Sequence, residues 1–448
     1  MNLRLEIPVA SLLFVTLPMA AAAQSQAIEI RAMAEFRVSS NSSPEITERV
    51  ASALAKRRAL NEAALRLSQM PEIKNIPIQN SQLEALLPPI VALSVESMRS
   101  FKDAGQTVYH ADALAGGDVW KISRGLYLLL KDPNAYADLV AARKQSIVLE
   151  QELTKLVNSP DSLNETEKNS LLNRLTANDL IVRVYGDLAR IEESPASVRV
   201  ATRKGVQRSI AFAERAVILA RETPQAYLAL GDALMASDQA APAEVEYRQA
   251  LLLDSRSASA HIKLGEAMRV QEKLPEAVEE FQEALRIEPK SAMAHTDLGF
   301  VLAAQQNNSG AVAEYREAVK CDPDYLDAHN YLAITLARQG NLPEAVDEFR
   351  EMVRIDPDSA LGYYNMAIAL ADMEKDAEAS EALRHVLRIN PLHYNAHFNI
   401  GEMLRLEGKL DEAVKQFKEY LRLAPDNTPQ ALRNIQRARE FVRTHDDP

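Results

Sequence analysis

Four of the eight histidines in this chain, His261, His295, His329 and His397, stand at multiples of 34 residues from one another. Histidines in register are the pattern of a metal ladder, in which imidazoles on successive rungs share an ion. Each nitrogen would have to lie within about 2.1 Å of that ion. Equivalent helices in a stack lie about 8–10 Å apart. Neighbouring rungs therefore cannot meet on one metal, and the rings are expected to be amphipathic packing groups. Cys321 is the single cysteine, which excludes an intrachain disulfide, and it reads as a small packing residue. Paired carboxylates such as Glu279 and Glu280 fall on an outward helix surface, where they solubilise. The sequence contains no metalloprotease helix motif, nucleophile elbow, phosphate-cradling glycine loop or Cys/His zinc spacing. The expectation is a chain that is not an enzyme, with no catalytic residue, no metal and no cofactor.

The histidines are positioned by a period that runs through much of the chain. "LPEAVEEFQEALRIEP" at 274–289 returns as "LPEAVDEFREMVRIDP" at 342–357 and "LDEAVKQFKEYLRLAP" at 410–425. Aligned from Pro224, six blocks of 34 residues begin at 224, 258, 292, 326, 360 and 394. Their twentieth position is always alanine: Ala243, Ala277, Ala311, Ala345, Ala379 and Ala413. The eighth is Gly231, Gly265, Gly299, Ala333, Ala367 and Gly401, and the twenty-fourth is Tyr247, Phe281, Tyr315, Phe349, Leu383 and Phe417. Proline closes five of the six blocks, from Pro289 to Pro425. Two antiparallel helices approach closely only where side chains nearly vanish, which suits positions eight and twenty. The large residue at twenty-four fills the space beside them, and proline ends the second helix.

This register closely resembles the tetratricopeptide repeat, a 34-residue helix hairpin, over residues 224–427. The resemblance implies a mainly α fold, a right-handed superhelical solenoid of helix hairpins whose first helices line a concave groove. A hairpin cannot bury its apolar face alone, so stacking supplies the core. After Pro425, "TPQALRNIQRAREFV" reads as a capping helix over 428–448, with Thr428 as N-cap and Pro429 at the first helical position. Residues 176–223, with Gly186 as the small residue, look like a degenerate repeat, preceded by a helical linker over 126–175.

Residues 24–125 differ in kind. "IEIRAMAEFRV" alternates as a strand does, "SPEITERVASALAKRRALNEAALRL" reads as a helix starting at Ser43 or Pro44, and "VESMRSF" with "TVYHADAL" reads as a hairpin. Together they predict a small α+β domain, and "AKRRALNEAALRL" after a first strand resembles the N-terminal domain of the flagellar assembly T protein. Residues 1–23 carry Arg4, an apolar core and "AAAQ", the pattern of an export signal cleaved after Ala23. Export to a bacterial periplasm is the expectation, with no transmembrane segment in the mature chain.

The formal charge of −12 is uneven: residues 224–427 hold 35 Asp/Glu against 20 Lys/Arg, which is −15 and leaves +3 for the rest. A diffuse negative field argues against nucleic acid and anionic lipid as partners. The resemblance places the groove at the second, fifth, ninth and twelfth positions, with asparagines at the sixth as peptide-backbone holders. The candidate partner-binding residues are Met293, Thr296, Phe300, Asn330, Ile334, Leu361, Tyr364, Asn365, Ile368, Phe398 and Asn399. They describe an apolar, partly aromatic centre, with Asp232, Glu266 and Arg269 at one end and Glu402 and Arg405 at the other. The fifth and ninth positions can instead pack between neighbouring first helices, and the sequence leaves both roles open. Basic positions for clamping a terminal carboxylate are not filled in consecutive repeats. The functional expectation is a scaffold binding a protein or peptide partner in the cell envelope. The alternative is a structural envelope component that self-assembles through its N-terminal domain. The sequence does not set the oligomeric state.

Overall fold

A computed structural model of the chain describes residues 27–38, 44–74, 76, 78, 83, 87, 91–103, 106–118, 122, 126, 133–158, 165–191, 199–425 and 428–445. Residues 1–23, read as an export signal, and the candidate cap Ser43 lie outside them. The described residues form two compact units, one up to Gln271 and the other from Glu272.

The first unit opens with β1 (Ala27–Val38), α1 (Pro44–Leu67) and the short α2 (Pro71–Lys74), followed by β2 (Ala92–Asp103) and β3 (Gln106–Asp118). The sheet order is β1-β3-β2 and both pairings are antiparallel. Alternation does what it should: Ile28, Ile30 and Ala32 are buried while Glu29, Arg31 and Met33 are exposed. Helix α1 packs on this sheet through a stripe at four-residue spacing, Ala51, Ala55, Ala59 and Ala63, each fully buried. Across from it β3 offers Ala111, Ala113 and Ala115, also fully buried. Small residues on both surfaces let helix and sheet approach closely.

Three long helices follow, α3 (Pro133–Asn158), α4 (Glu165–Ile191) and α5 (Arg199–Leu219). The boundary expected between 175 and 176 falls inside α4, which has no breaker there. Asn178 of α4 is buried and ties the helix to α3, donating to the Ala142 carbonyl at 2.6 Å. The unit ends with α6 (Pro224–Met235), α7 (Ala240–Leu253) and α8 (Ala258–Val270).

The second unit holds α9 (Leu274–Ile287), α10 (Ala292–Ala304), α11 (Asn308–Cys321), α12 (Leu326–Arg338) and α13 (Leu342–Ile355). It continues with α14 (Ala360–Asp372), α15 (Asp376–Ile389), α16 (Tyr394–Leu406), α17 (Leu410–Leu423) and the capping helix α18 (Pro429–His445). Consecutive helices pair. Ala311, Ala345, Ala379 and Ala413 are fully buried at the twentieth position, beside Tyr315, Phe349, Leu383 and Phe417 at the twenty-fourth. A Cβ built on Gly299 would lie 2.6 Å from the Tyr315 ring, and one on Gly401 2.9 Å from the Phe417 ring. The small eighth residue is therefore a steric demand of the partner ring. Caps recur too: Ser291 and Ser359 accept from the backbone N–H three residues on, each at 3.2 Å, and Thr428 accepts from Ala431 at 3.1 Å.

The turn inside each hairpin places its fifteenth residue in the left-handed region. Asp238, Glu272, Gln306 and Glu374 have φ of 60 to 65°, and Gly340 and Gly408 have φ of 85 and 76°. Only two repeats use the residue for which that conformation is free; the others each carry a cost of about 1 kcal/mol.

Candidate interaction face of the repeats

The aligned histidines are staples. In α10, His295 Nε2 donates to the carbonyl of Pro289 at 3.3 Å, and its Nδ1 lies 2.7 Å from Glu314 Oε2 on α11. His329 repeats this with Pro323 at 3.0 Å and Glu348 at 2.6 Å. His397 bonds to Pro391 at 3.1 Å and to Gln416 at 2.7 Å, and His261 to the Ser255 carbonyl at 3.4 Å. Each ring ties its helix back to the residue closing the preceding repeat, and His295, His329 and His397 also reach the second helix of their own. A carbonyl and a carboxylate can only accept, so His295 and His329 must carry hydrogen on both nitrogens. The bond to Glu314 raises the His295 pKa, overcoming the opposing effect of burial. At His329 burial works against the charge, but the bonds to Glu348 and the Pro323 carbonyl outweigh it and the pKa is again raised. Among the described residues no group of three or more His, Cys, Asp or Glu is placed to hold a metal ion.

Of the residues expected to line a groove, the structure buries most. Thr296, Asn330, Ile334, Tyr364, Asn365, Ile368, Phe398 and Asn399 are all buried, and only Met293, Phe300 and Leu361 keep partial exposure. Of the two roles left open for the fifth and ninth positions, burial is the outcome for every one of these candidates except Phe300. Asn399 donates to the Tyr364 hydroxyl at 3.2 Å, one repeat back, and the Phe398 ring lies 4.9 Å from that of Tyr420. Thr296 turns its hydroxyl onto the Ala292 carbonyl of its own helix at 2.8 Å. The expected charged ends are also used internally. Glu402 accepts from Arg405 and from Arg437 of α18, both at 3.0 Å. In the first unit Asp232 accepts from the Tyr247 hydroxyl at 2.7 Å and from Lys263 at 2.9 Å.

What stays accessible is an aromatic pair of which the groove positions include only Phe300. Phe300 of α10 and Tyr331 of α12 meet edge to face at 5.4 Å, and both are half-buried. Tyr331 also stacks on Tyr315 at 5.9 Å. Its sixth position carries asparagine in the next two repeats; the aromatic departure at that position was the available signal. One turn-neighbour of this pair is unusual. Asn330 is 2 % exposed, and neither its side-chain oxygen nor its nitrogen has a hydrogen-bond partner among the described residues. A buried amide in that state costs about 1–3 kcal/mol.

A family profile described as tetratricopeptide repeat matches residues 296–360 and 364–428, and a second, described as TPR repeat, matches 265–306. These segments are tetratricopeptide repeats. Tetratricopeptide repeat proteins in general mediate protein–protein interaction and act as non-catalytic scaffolds. Similar solved structures include YrrB, described as a tetratricopeptide repeat protein with an unusual peptide-binding site, at 28% identity over 41% of this chain and 95% of that one, with a TM-score of 0.34. Pseudomonas aeruginosa pilF is 20% identical over 48% of this chain and 98% of its own, with a TM-score of 0.43. A tetratricopeptide repeat protein from Parabacteroides merdae is 15% identical over 58% and 99%, with a TM-score of 0.39. No curated protein matches the chain. No helix among the described residues is long and apolar enough to cross a membrane.

Proposed function

We propose that this chain is an exported scaffold that holds a partner protein or peptide in the cell envelope against the first helices of its tetratricopeptide repeats. The observation that carries the reading is the Phe300–Tyr331 pair, left half-exposed on neighbouring first helices with Met293 and Leu361 of the flanking positions also accessible. Aromatic anchors inside a polar rim are the usual centre of a protein-binding surface. The repeats around it are acidic, which suits a partner presenting basic residues beside its apolar contacts. Export is supported by the charged start, apolar core and small-residue site of residues 1–23.

Photo-crosslinking residues placed at Met293 and Leu361 should capture the same envelope proteins. A crosslinker at Glu351, exposed on a second helix, should not. The double substitution Phe300→Ala and Tyr331→Ala should reduce capture while leaving the helical circular dichroism signal intact. Equal capture from Glu351, or capture indifferent to the double substitution, removes the interaction face. The export half is read separately: native protein should begin at Gln24, and a chain recovered with Met1 intact from cytosol would overturn it.

A further inference from the structure

The sheet of the first unit has β1 at one edge and β2 at the other. An edge strand presents unpaired backbone N–H and C=O groups, to which another strand can add. The two edges are not alike. Strand β2 is broken by a bulge between Val95 and Ser97, a feature that blunts an edge against pairing. Strand β1 runs 12 residues without proline or glycine, in unbroken register with β3. Helix α1 packs on β1 and α3 touches it. Among the described residues, no backbone hydrogen bond outside the ladder with β3 reaches β1. The Met33 carbonyl accepts from Arg58 Nη1 at 2.9 Å, and a carbonyl has a second lone pair for a further donor.

Strand alternation gives one face of β1 the positions of Glu29, Arg31, Met33, Glu35 and Arg37. Glu29 and Arg31 are exposed, and Met33 between the charges is 51 % exposed. Lay a second β1 antiparallel to the first, with a two-fold axis at Met33. Residue 29 then stands opposite 37 and residue 31 opposite 35, so all four charged pairs set Glu against Arg, and Met33 meets its own copy. The alternate positions are apolar throughout: Ile28 comes opposite Val38, Ile30 opposite Phe36 and Ala32 opposite Ala34. No neighbouring register does this. An axis at Ala32 sets Glu29 against Glu35, and one at Ala34 sets Arg31 against Arg37. An axis at Arg31 or at Glu35 sets that residue against itself, and a parallel in-register pair opposes every charge with its like. Like charges directly opposite destabilise a strand pair, so charge selects a single arrangement. Arg31 already pairs with Glu96 of β2 at 3.1 Å, but on an exposed surface, where such a pair is weak.

We propose that β1 is the site at which two copies of this chain join, edge to edge, merging two three-stranded sheets into one continuous antiparallel sheet. The contact is isologous: each copy offers the same strand, and the two-fold axis passes between the facing Met33 residues. It uses no residue of the interaction face on the repeats and stands independently of it.

Sedimentation velocity of the full chain over a concentration series should show a monomer–dimer equilibrium. Arg31→Glu and Glu35→Arg should each weaken dimerisation by about tenfold or more, because either one sets two like-charged pairs across the junction. Mixed in equal amounts, the two variants should associate with each other as the parent does with itself, since every facing pair is then opposite in sign again. A variant that had merely lost its fold would not be rescued in this way. In a Cys321→Ser background, Met33→Cys should form a disulfide-linked dimer on mild oxidation, because residues facing each other in an antiparallel pair lie within bridging distance. Phe101→Cys, at an exposed position on β2, should not. A chain that stays monomeric overturns the proposal. So does a dimer indifferent to both charge reversals, a mixture of the two variants that fails to associate, or equal linkage of the Phe101→Cys chain.

Discussion

Substituting Gly231 by alanine sets two effects of similar size against each other, and the structure decides the sign. In an uncrowded helix the change stabilises by about 1 kcal/mol through helix propensity alone. Here the new Cβ would fall 2.3 Å from Tyr247 Cε1, 2.6 Å from Cδ1 and 2.7 Å from Cζ. Tyr247 cannot swing away cheaply. Its ring is 2 % exposed, and its hydroxyl is held by Asp232, which also accepts from Lys263. Overpacking of this kind costs about 1–3 kcal/mol, and a ring pinned at both ends belongs at the upper limit, so Gly231→Ala should destabilise by about 1–2 kcal/mol net. Gly401→Ala is the internal comparison. Its Cβ would meet Phe417 at 2.9 to 3.1 Å, and that ring has no hydroxyl tether. The two terms should nearly cancel there. Native-state hydrogen exchange followed by mass spectrometry suits the measurement, because an array of repeats need not unfold in one step. Amides of α6 and α7 should exchange faster in Gly231→Ala, and those of α16 and α17 should be little changed in Gly401→Ala. Slower exchange in α6 would mean propensity had won, and the close approach of this helix pair would be refuted.

Three further outcomes follow from buried polar groups. Asn330→Leu keeps the number of side-chain heavy atoms and removes two unpaired polar atoms, so it should stabilise the second unit by about 1–3 kcal/mol in urea denaturation; a loss of stability would show that the amide is satisfied in solution. The histidines give the second unit opposing pH dependences. His295 and His329 have raised folded pKa values, so their contribution is complete below about pH 6.5 and is lost as pH rises through the folded values. Histidine proton titration by NMR should show His329 losing its upward shift in Glu348→Gln, and an unchanged midpoint would break the assignment. His393 runs the other way, its pKa lowered to about 4 by burial and, secondarily, by His397, and its Nδ1 accepts from the Ala396 amide as the cap of α16. Its contribution, about 3 kcal/mol at most, is complete above about pH 6.5 and lost as pH falls toward the folded value. His393→Asn, which can still cap, should flatten the loss of stability between pH 6 and 4, taking about pH 6.5 as the unfolded histidine value; an equally steep loss in the variant would assign it to carboxylates.

The period was fully visible in the sequence because it is written in residue types that physics restricts: Gly or Ala at eight, Ala at twenty, and at twenty-four an aromatic in every repeat but the one with Leu383. The left-handed fifteenth residue was not visible, because only Gly340 and Gly408 mark it and four polar residues occupy the same conformation. The histidines announced their register but not their bonds. His329 reaches a carbonyl six residues upstream and a carboxylate nineteen residues downstream, and neither partner follows from helical periodicity within one element. Of the candidate contact residues, the sequence identified the helix face and left the depth open. Periodicity fixes direction around a helix axis; exposure depends on how far the next repeat reaches over it. With Tyr420 and Phe417 fully buried against Phe398, the fifth position of that repeat has no solvent left to face.

That burial constrains where partner specificity can reside. Asn399 and Tyr364 bond across adjacent repeats, and Ile368 and Phe398 are buried in the core, so evolution cannot vary them for a ligand without loosening the packing. Glu402 is likewise committed, to Arg405 and to Arg437 of the capping helix. Variation that leaves the core alone must fall on the second position, where Met293 and Leu361 are only half-buried, and on the sixth, where Tyr331 stands in place of asparagine. Phe300, at the ninth position, keeps partial exposure and meets Tyr331 edge to face. The repeats of α10 and α12 share the small-residue core of the others and carry in addition the half-exposed Phe300–Tyr331 pair. The proposed interaction rests on that pair.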